Sequence, residues 1–330
     1  MLAPIAWRVP PRTYGPWERV VSLLTEGLVL AGVDVTLFAT ADSRTSARLN
    51  AVVPSPYEET PVMDAKVWEG LHLAHAFGCA GRFDLMHNHY DFLPLTYASL
   101  VDTPTVTTIH GFSSERILPA YRAFDGRAHY VSVSDADRHP DLSYLATIHH
   151  GLDFAEFTFQ PQPGEYLLFF GRIHPDKGAA DAIRVARAAG RPLILAGIVQ
   201  DQAYFDREVQ PHLSADVHYV GVAGPAERNK LLGEALGLLH LIHFAEPFGL
   251  SVVEAMACGT PVIAYPRGSM PELIEHGISG FLVADEAEAV TAAARLRILD
   301  RMVVRSCAER FSQARMVEAY LSAYHTIVSG

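Results

Sequence analysis

Two carboxylates, Glu246 and Glu254, bracket the run Pro247-Phe248-Gly249-Leu250-Ser251-Val252-Val253. Neither can hold a phosphate, because like charges repel. Each can accept two hydrogen bonds from a vicinal diol. Between them a helix begins, and the unpaired N–H groups at a helix start favour an anion, most simply a phosphate. Phosphate donors flanked by two diol acceptors describe a sugar-nucleotide, with Glu254 on the ribose and Glu246 on the transferred sugar. A plainer reading stands beside each assignment. Ser251-Val252-Val253-Glu254 has the form of a capping box, and Glu246 would pass as an ordinary solvated loop carboxylate.

A second loop, Gly171-Arg172-Ile173-His174-Pro175-Asp176-Lys177-Gly178, follows an apolar run and precedes a helical one. Arg172 can grip phosphate oxygens with its planar fork, and Lys177 adds a point charge. As a mere surface loop it would leave Asp176 and Lys177 solvated. Two cations between two glycine turns, in an acidic protein, favour the phosphate reading. The spacing is not a P-loop, and no GxGxxG follows any expected strand, so a dinucleotide oxidoreductase or NTPase is poorly supported.

Thr107-Thr108-Ile109-His110-Gly111-Phe112 is a third strand end, and from it His110 can reach a donor sugar as a hydrogen-bond partner or electrostatic helper. A lone histidine is more often structural. His87 with His89, and His149 with His150, raise a zinc reading. They lack a fitting cysteine or carboxylate partner, and no metal ligand is assigned. Asp135-Ala136-Asp137 spells DxD, but at an expected helix start, where acidic residues belong without a metal.

These residues need elements to hold them. The apolar run Leu238 to Phe244 reads as a buried strand and Ser251 to Cys258 as a short helix ended by Gly259, with Thr260-Pro261 opening the next strand. The loop of Glu246 thus lies at the carboxyl end of a strand, where ligands sit in open parallel sheets. Upstream, a clipped strand at Leu2 to Ala6 precedes a helix from Pro16 to about Ala31 and a strand from Val33 to Ala39. Residues 41–62 read as irregular. A helix from about Met63 to Ala80 leads to a strand at Asp84 to His89. Thr105 to Ile109 and His129 to Val133 are strands, each followed by a polar loop and a helical stretch. The pattern lapses between Gly151 and Gly164, then resumes with strands at Tyr166 to Phe170, Pro192 to Ala196, Val217 to Val220 and Phe281 to Val283. Glu309 to Val328 reads as one amphipathic helix, with Phe311, Met316, Tyr320, Tyr324 and Ile327 on one face. Alternating strands and helices imply parallel sheets covered on both faces. The expected architecture is α/β, two doubly wound domains facing across a cleft.

Composition sets the bounds. The 330 residues suffice for two domains, and 49% apolar content with 19% charge suits two packed cores. A net charge of −11 argues against a nucleic-acid surface or a polybasic membrane patch. Three cysteines without metal spacing fit a reducing compartment. No signal-peptide pattern and no run of ~18 apolar residues is present. A cytoplasmic protein is expected.

The EPFGLSVVEAMACGTPVIA run with its two glutamates, the GRIHPDKG loop and the THGF-like strand end resemble the retaining glycosyltransferases of family four. The resemblance covers essentially the whole chain in element order and is most specific from Gly171 to Val283. It implies the GT-B fold, with residues 1–151 on the acceptor side, 152–308 binding a nucleotide-sugar, and 309–330 crossing back to brace the first domain. It implies that Arg172 and Lys177, with Gly171, bind the diphosphate, that Glu254 takes the ribose, and that Glu246 with the Phe248-Gly249-Leu250 backbone takes the sugar. His110 would stand beside that sugar, and Gly15 and Val222 complete the implied donor contacts. Where paired glycines are usual, this chain has Gly15-Pro16, and Pro16 offers no N–H. The usual asparagine before a glycine near the domain junction is His150 here. The resulting expectation is hexosyl transfer from a UDP-sugar to a hydroxyl acceptor, with retention, no cofactor and no metal. An epimerase of the same architecture, a pyridoxal-dependent phosphorylase and a non-catalytic nucleotide-sugar sensor are the rival readings. Trp7, Tyr14 and Trp17 could stack on an acceptor sugar, and Arg8 and Arg12 could hold an acidic one.

Overall fold

In the computed structural model, which describes residues 1–112 and 114–329, the chain divides into two units. One comprises Met1–Gly151 with Gln313–Gly330, and the other Leu152–Ser312.

In the first unit, helix α1 (Pro16–Leu30) precedes the parallel pair β1 (Thr36–Thr40) and β2 (Arg48–Val53). Helix α2 (Ala65–Gly78), capped by Asp64, then leads to β3 (Met86–Asn88) and the short α3 (Leu95–Ala98). Strand β4 (Thr105–Ile109), helix α4 (Leu118–Phe124), and strands β5 (His129–Ser132) and β6 (Tyr144–Thr147) follow. Strands β3 to β6 form one parallel sheet in sequence order. The backbone of Leu2 bridges Phe38 of β1 and Asn88 of β3, so it joins the two strand sets. Leu2, Phe38, Leu73, Phe77 and Met86 pack together beneath them.

Two expectations fail here. Residues 41–62 contain β2, whose RLNAVV sequence is half exposed at a sheet edge and so lacks the apolar run that marks a buried strand. No helix follows β5. The segment from Asp135 turns instead, with the Asp137 amide bonded to Ser134 Oγ at 3.1 Å and Thr147 Oγ1 to Asp135 Oδ1 at 2.5 Å. The DxD is therefore a turn and not a helix start, in keeping with Pro140 a few residues on.

The second unit alternates throughout. Its strands are β7 (Leu167–Phe170), β8 (Leu193–Ala196), β9 (Val217–Tyr219), β10 (Gly237–His240), β11 (Val262–Ala264) and β12 (Gly280–Leu282). All are parallel, in the order β12-β11-β10-β7-β8-β9. The order reverses between β7 and β10, the topological switch point of a doubly wound sheet. Its helices are α5 (Ala179–Ala188), α6 (Gln202–Tyr204), α7 (Pro225–Glu234), α8 (Leu250–Ala257), α9 (Met270–Leu273), α10 (Glu286–Arg295) and α11 (Arg301–Ala308). Helices α5 and α10 pack together, as do α7 and α11 against α8. Strands β7, β10 and β11 are buried along almost their whole length, as a sheet covered on both faces requires. The expected strand from Leu238 stops at His240, and Leu241 to Phe244 belong to the loop that follows.

The expected helix from Glu309 is broken. A single turn at Glu309–Phe311 ends at Ser312 in extended conformation, and α12 (Gln313–Ser329) then starts in the first unit. Met316, Val317, Tyr320, Ala323 and Ile327 of α12 are buried. The helix lies against α1, where Gln313 Nε2 donates to the Leu23 carbonyl at 2.6 Å. Among the described residues no helix is long and apolar enough to cross a membrane.

Helix α12 can approach α1 because Gly27 has no side chain: a Cβ there would lie 2.4 Å from Val317 Cγ2. Gly27→Ala is therefore expected to destabilise by roughly 1–3 kcal/mol through overpacking. Val317→Ala in the same chain should restore most of the loss, as read from urea unfolding midpoints of the four variants of the cycle.

Candidate active site

The carboxyl ends of β7 and β10 are neighbours in the second unit, and each carries one of the two loops singled out from the sequence. After β7, the Gly171 amide still bonds Ala196 O at 3.0 Å, and the chain then turns through Pro175–Lys177 into α5. Gly178 has φ +74, and a Cβ on it would lie 1.9 Å from the Leu241 carbonyl oxygen. Only glycine lets this loop seat against the end of β10. The His243 amide, donating to Asp176 O at 2.7 Å, ties the two loops together.

Lys177 Nζ lies 2.6 Å from Glu246 Oε2, with 15% and 14% of the two side chains exposed. The ammonium also sits 4.5 Å over the Phe244 ring. Burial opposes ionisation of Glu246, but the neighbouring His240 imidazole and the Lys177 ammonium outweigh it and hold the carboxyl at about 2. His240 Nε2 stands 3.7 Å from Glu246 Oε2, beyond hydrogen-bond reach, and burial keeps this ring on the neutral side. Arg172 hydrogen-bonds Gln200 and lies 3.8 Å from Asp176 Oδ2.

The Glu246 loop is held from below. Ser269 donates through its amide to Glu246 O at 2.9 Å and through its hydroxyl to Phe248 O at 2.6 Å. Gly268 makes this possible, since a Cβ there would meet the Glu246 backbone nitrogen at 2.4 Å. Phe248 is buried, edge-on to Phe311 at 5.8 Å. Gly249, at φ +92, is the N-cap of α8, and Leu250 is its first residue. The expected capping box is therefore absent: Ser251 lies inside the helix, and no side chain caps its start. Glu254 has another partner. Its Oε1 accepts from Arg228 of α7 at 3.2 Å, with only 6% and 11% of the two side chains exposed.

Arg172, Lys177, Glu246, Phe248, Gly249 and Leu250 thus gather with Gly171 at the switch point. Val222 is exposed in the connection after the edge strand β9, next to Gly221, whose carbonyl accepts from the Gly197 amide at 2.8 Å. His110 and Gly15 belong to the first unit. His110 is buried, its Nε2 2.9 Å from His89 Nδ1 and its Nδ1 3.3 Å from His150 Nε2, with Trp17 stacked on it at 5.2 Å. Burial, with the neighbouring histidines, holds its pKa well below the usual range. Gly15 is the N-cap of α1, at φ +141. Trp7 packs edge-on to Tyr14 at 6.0 Å, and Arg12 is paired with Asp42 at 3.0 Å and with Glu59, so its charge is already met.

Sequence reasoning missed Arg228, His240, Gln200 and Ser269. A polar residue inside the apolar run LLHLIHF was the available signal for His240. Nothing local marked Arg228, which meets Glu254 only through the packing of α7 on α8. Among the described residues, no group of three or more histidine, cysteine or acidic side chains is placed to hold a metal ion.

Comparison with known proteins bears on these two loops. The family model "Glycosyl transferases group 1" matches residues 154–314, and "Glycosyltransferase Family 4" matches residues 17–140. The matches follow one another in chain order and together take in most of the sequence. The chain is a family-four-like GT-B glycosyltransferase. Glycogen synthase of Mycobacterium tuberculosis is 27% identical to this glycosyltransferase, over 96% of this chain and 90% of the relative. AviGT4, a glycosyltransferase involved in avilamycin A biosynthesis, has a similar structure: TM-score 0.72, 24% identity, and 100% of this chain and 97% of that one covered. Anabaena HepE, solved in complex with UDP and glucose, superposes with TM-score 0.73 at 18% identity, over 93% of this glycosyltransferase and 95% of HepE.

Because the folded-state pKa of Glu246 is depressed from 4.5 to about 2, its ionised form contributes stability above the unfolded value, and this is lost as pH falls from 4.5 through about 2. Glu246→Gln is expected to be less stable than the parent at neutral pH, because Lys177 is left buried without its counter-charge. The gap should narrow across that acidic window, as measured by urea unfolding at a series of pH values.

Proposed function

We propose that this glycosyltransferase moves a hexosyl group from a nucleoside-diphosphate sugar, with a UDP-sugar the favoured donor, to a hydroxyl acceptor, retaining the anomeric configuration. The observation that carries the reading is the Lys177–Glu246 contact beside Arg172 at the switch point of the second unit. A cation for a phosphate and a carboxylate for sugar hydroxyls stand side by side there, on loops that converge only because β7 and β10 are neighbours. The similarity to HepE, itself solved with UDP and glucose, supports the nucleotide and the sugar class.

Departure of the nucleoside diphosphate is the difficult step, because negative charge grows on its outer phosphate as the glycosidic bond breaks. Arg172, Lys177 and the first amides of α8 are assigned to meet that charge, and fixed donors of this kind need no reorganisation as the bond breaks. Glu246, held ionised, accepts hydrogen bonds from the sugar. Glu254, paired with Arg228 of α7, is assigned to the ribose. No further carboxylate is assigned as a nucleophile. The acceptor hydroxyl attacks on the leaving-group side, and a donor phosphate oxygen takes its proton. His110 of the first unit is assigned a contact to the sugar as a neutral hydrogen-bonding ring. With fixed cations at the phosphate, the reaction is assigned no divalent metal.

Arg172→Ala is expected to lower kcat/KM about 10²–10³-fold with UDP-glucose and a panel of hydroxyl acceptors, the scale of one lost oxyanion donor. Proton NMR of the product should give the donor's anomeric configuration, and turnover should survive excess chelator. An inverted product, or activity abolished by chelation and restored by manganese, would overturn this mechanism. Donor consumed without any acceptor product would instead indicate an epimerase.

A further inference from the structure

His240 is a polar residue in an apolar strand, and the transfer chemistry proposed above gives it no role. It ends β10, and the strands on either side, β7 and β11, bring only leucine, phenylalanine, valine, isoleucine and alanine side chains. Only 7% of its side chain is exposed, and its buried Nε2 has no hydrogen-bond partner. Buried polar atoms are nearly always paired, so an unpaired one at a strand end calls for an explanation.

That nitrogen faces Glu246 Oε2 at 3.7 Å. The same oxygen meets Lys177 Nζ at 2.6 Å. These two are the charged groups that act on the ring, Glu246 from the loop after β10 and Lys177 from the loop after β7. An ionised carboxylate only accepts, so a hydrogen bond between ring and carboxylate must run from Nε2–H to Oε2. Forming it takes a shift of about 0.8 Å, the gap between 3.7 Å and an ordinary N–H···O length. The Ser269 amide holds the Glu246 carbonyl, so the backbone stays in place and only the side-chain torsions turn.

Two anions have a claim on Lys177. Its ammonium neutralises Glu246 in the structure, and in the reading above it also meets the diphosphate. A diphosphate carries more negative charge than one carboxylate, and it repels Glu246 while it attracts the lysine. Glu246, with 14% of its side chain exposed, then loses its counter-charge just when it must stay ionised to accept from the sugar. We infer that His240 is a positioning residue for Glu246: as Lys177 turns to the phosphate, Glu246 Oε2 passes to His240 Nε2–H, which keeps the carboxylate ionised and in place. This rests on the assignments of Lys177 and Glu246 made above. His240 needs no contact with substrate, and the neutral ring that burial favours is sufficient to donate.

Long-range proton–nitrogen spectra of the whole chain follow the Nε2 proton directly. Adding UDP should move the His240 Nε2–H signal downfield as the bond forms. Lys177→Met should move it the same way without UDP, because the carboxylate has lost its ammonium. An unmoved signal in Lys177→Met overturns the proposal, as does an unmoved signal with UDP when calorimetry shows the nucleotide bound. If calorimetry shows no UDP binding, the nucleotide reading fails instead, and the Lys177→Met spectrum decides the proposal. In kinetics with UDP-glucose, His240→Leu should lower kcat about tenfold, the effect of one mispositioned hydrogen-bonding group, with little change in KM for the donor. His240→Gln, whose amide nitrogen can stand where Nε2 stood, should keep kcat within a few-fold, whereas the shorter His240→Asn should not. A folded His240→Leu with parental kcat overturns the positioning role if Glu246→Ala is impaired. If Glu246→Ala itself turns over normally, the sugar assignment of Glu246 fails, and the Lys177→Met spectrum still decides whether the carboxylate passes to His240.

Discussion

Lys177 and Glu246 are charges that neither loop could bury alone. An ion removed from water without a partner costs several kcal/mol, and the cost is offset only when the opposite charge is already in place. Everything that aligns the two loops serves that condition: the parallel pairing of β7 with β10, the Gly178 seat on Leu241, the His243 amide on Asp176, and the Ser269 grip on the Glu246 loop. The pattern extends outward. Arg172 lies by Asp176, and Arg228 by Glu254, so each of these cations also has a carboxylate beside it. An acidic chain can in this way bury cations at the ends of its strands without a strongly positive surface.

The first unit solves its polar problem differently. His87, His89, His110 and His150 are buried, and burial keeps the rings neutral. His87 hydrogen-bonds Thr108 and Tyr324, Thr108 in turn meets Tyr320, and the two tyrosines arrive on α12. The two units thus place contrasting chemistry on similar parallel sheets: ion pairs at strand ends in one, a string of uncharged rings in the other. Function here follows from side chains at strand ends rather than from the fold itself.

Much of the second unit was legible because its strands are apolar on both faces and because glycines stand at the starts of α5 and α8, with Pro225 opening α7. The runs at Leu167 and Leu238 and the loops after them could be placed from composition alone. Strand β2 could not, since a half-exposed edge strand alternates too weakly to separate from a loop. The short helix start at Gly249 looked like a Ser251 cap because the sequence carries a capping-box spelling, yet the backbone turns two residues earlier through a positive φ that only the fold reveals. The partners of Glu254 and His110 lie 26 and 21 residues away in sequence, so only tertiary packing brings them together. The two imidazole pairs suggested zinc because spacing says nothing about which way rings face. In the folded unit His87 packs on His89, and His150 meets His110.

The break at Ser312 makes the first unit discontinuous in sequence. Residues Leu152–Ser312 form an unbroken segment, whereas the first unit gains α12 only after that segment has been made. During synthesis from the amino terminus, the β3–β6 sheet emerges with the hydroxyls that anchor His87 and Thr108 still missing, and the α1 surface around Gly27 is uncovered. The second unit has its whole core before then. His87 and Thr108 can thus assume their final hydrogen bonding only once α12 has been made, after the loops of Arg172 and Glu246.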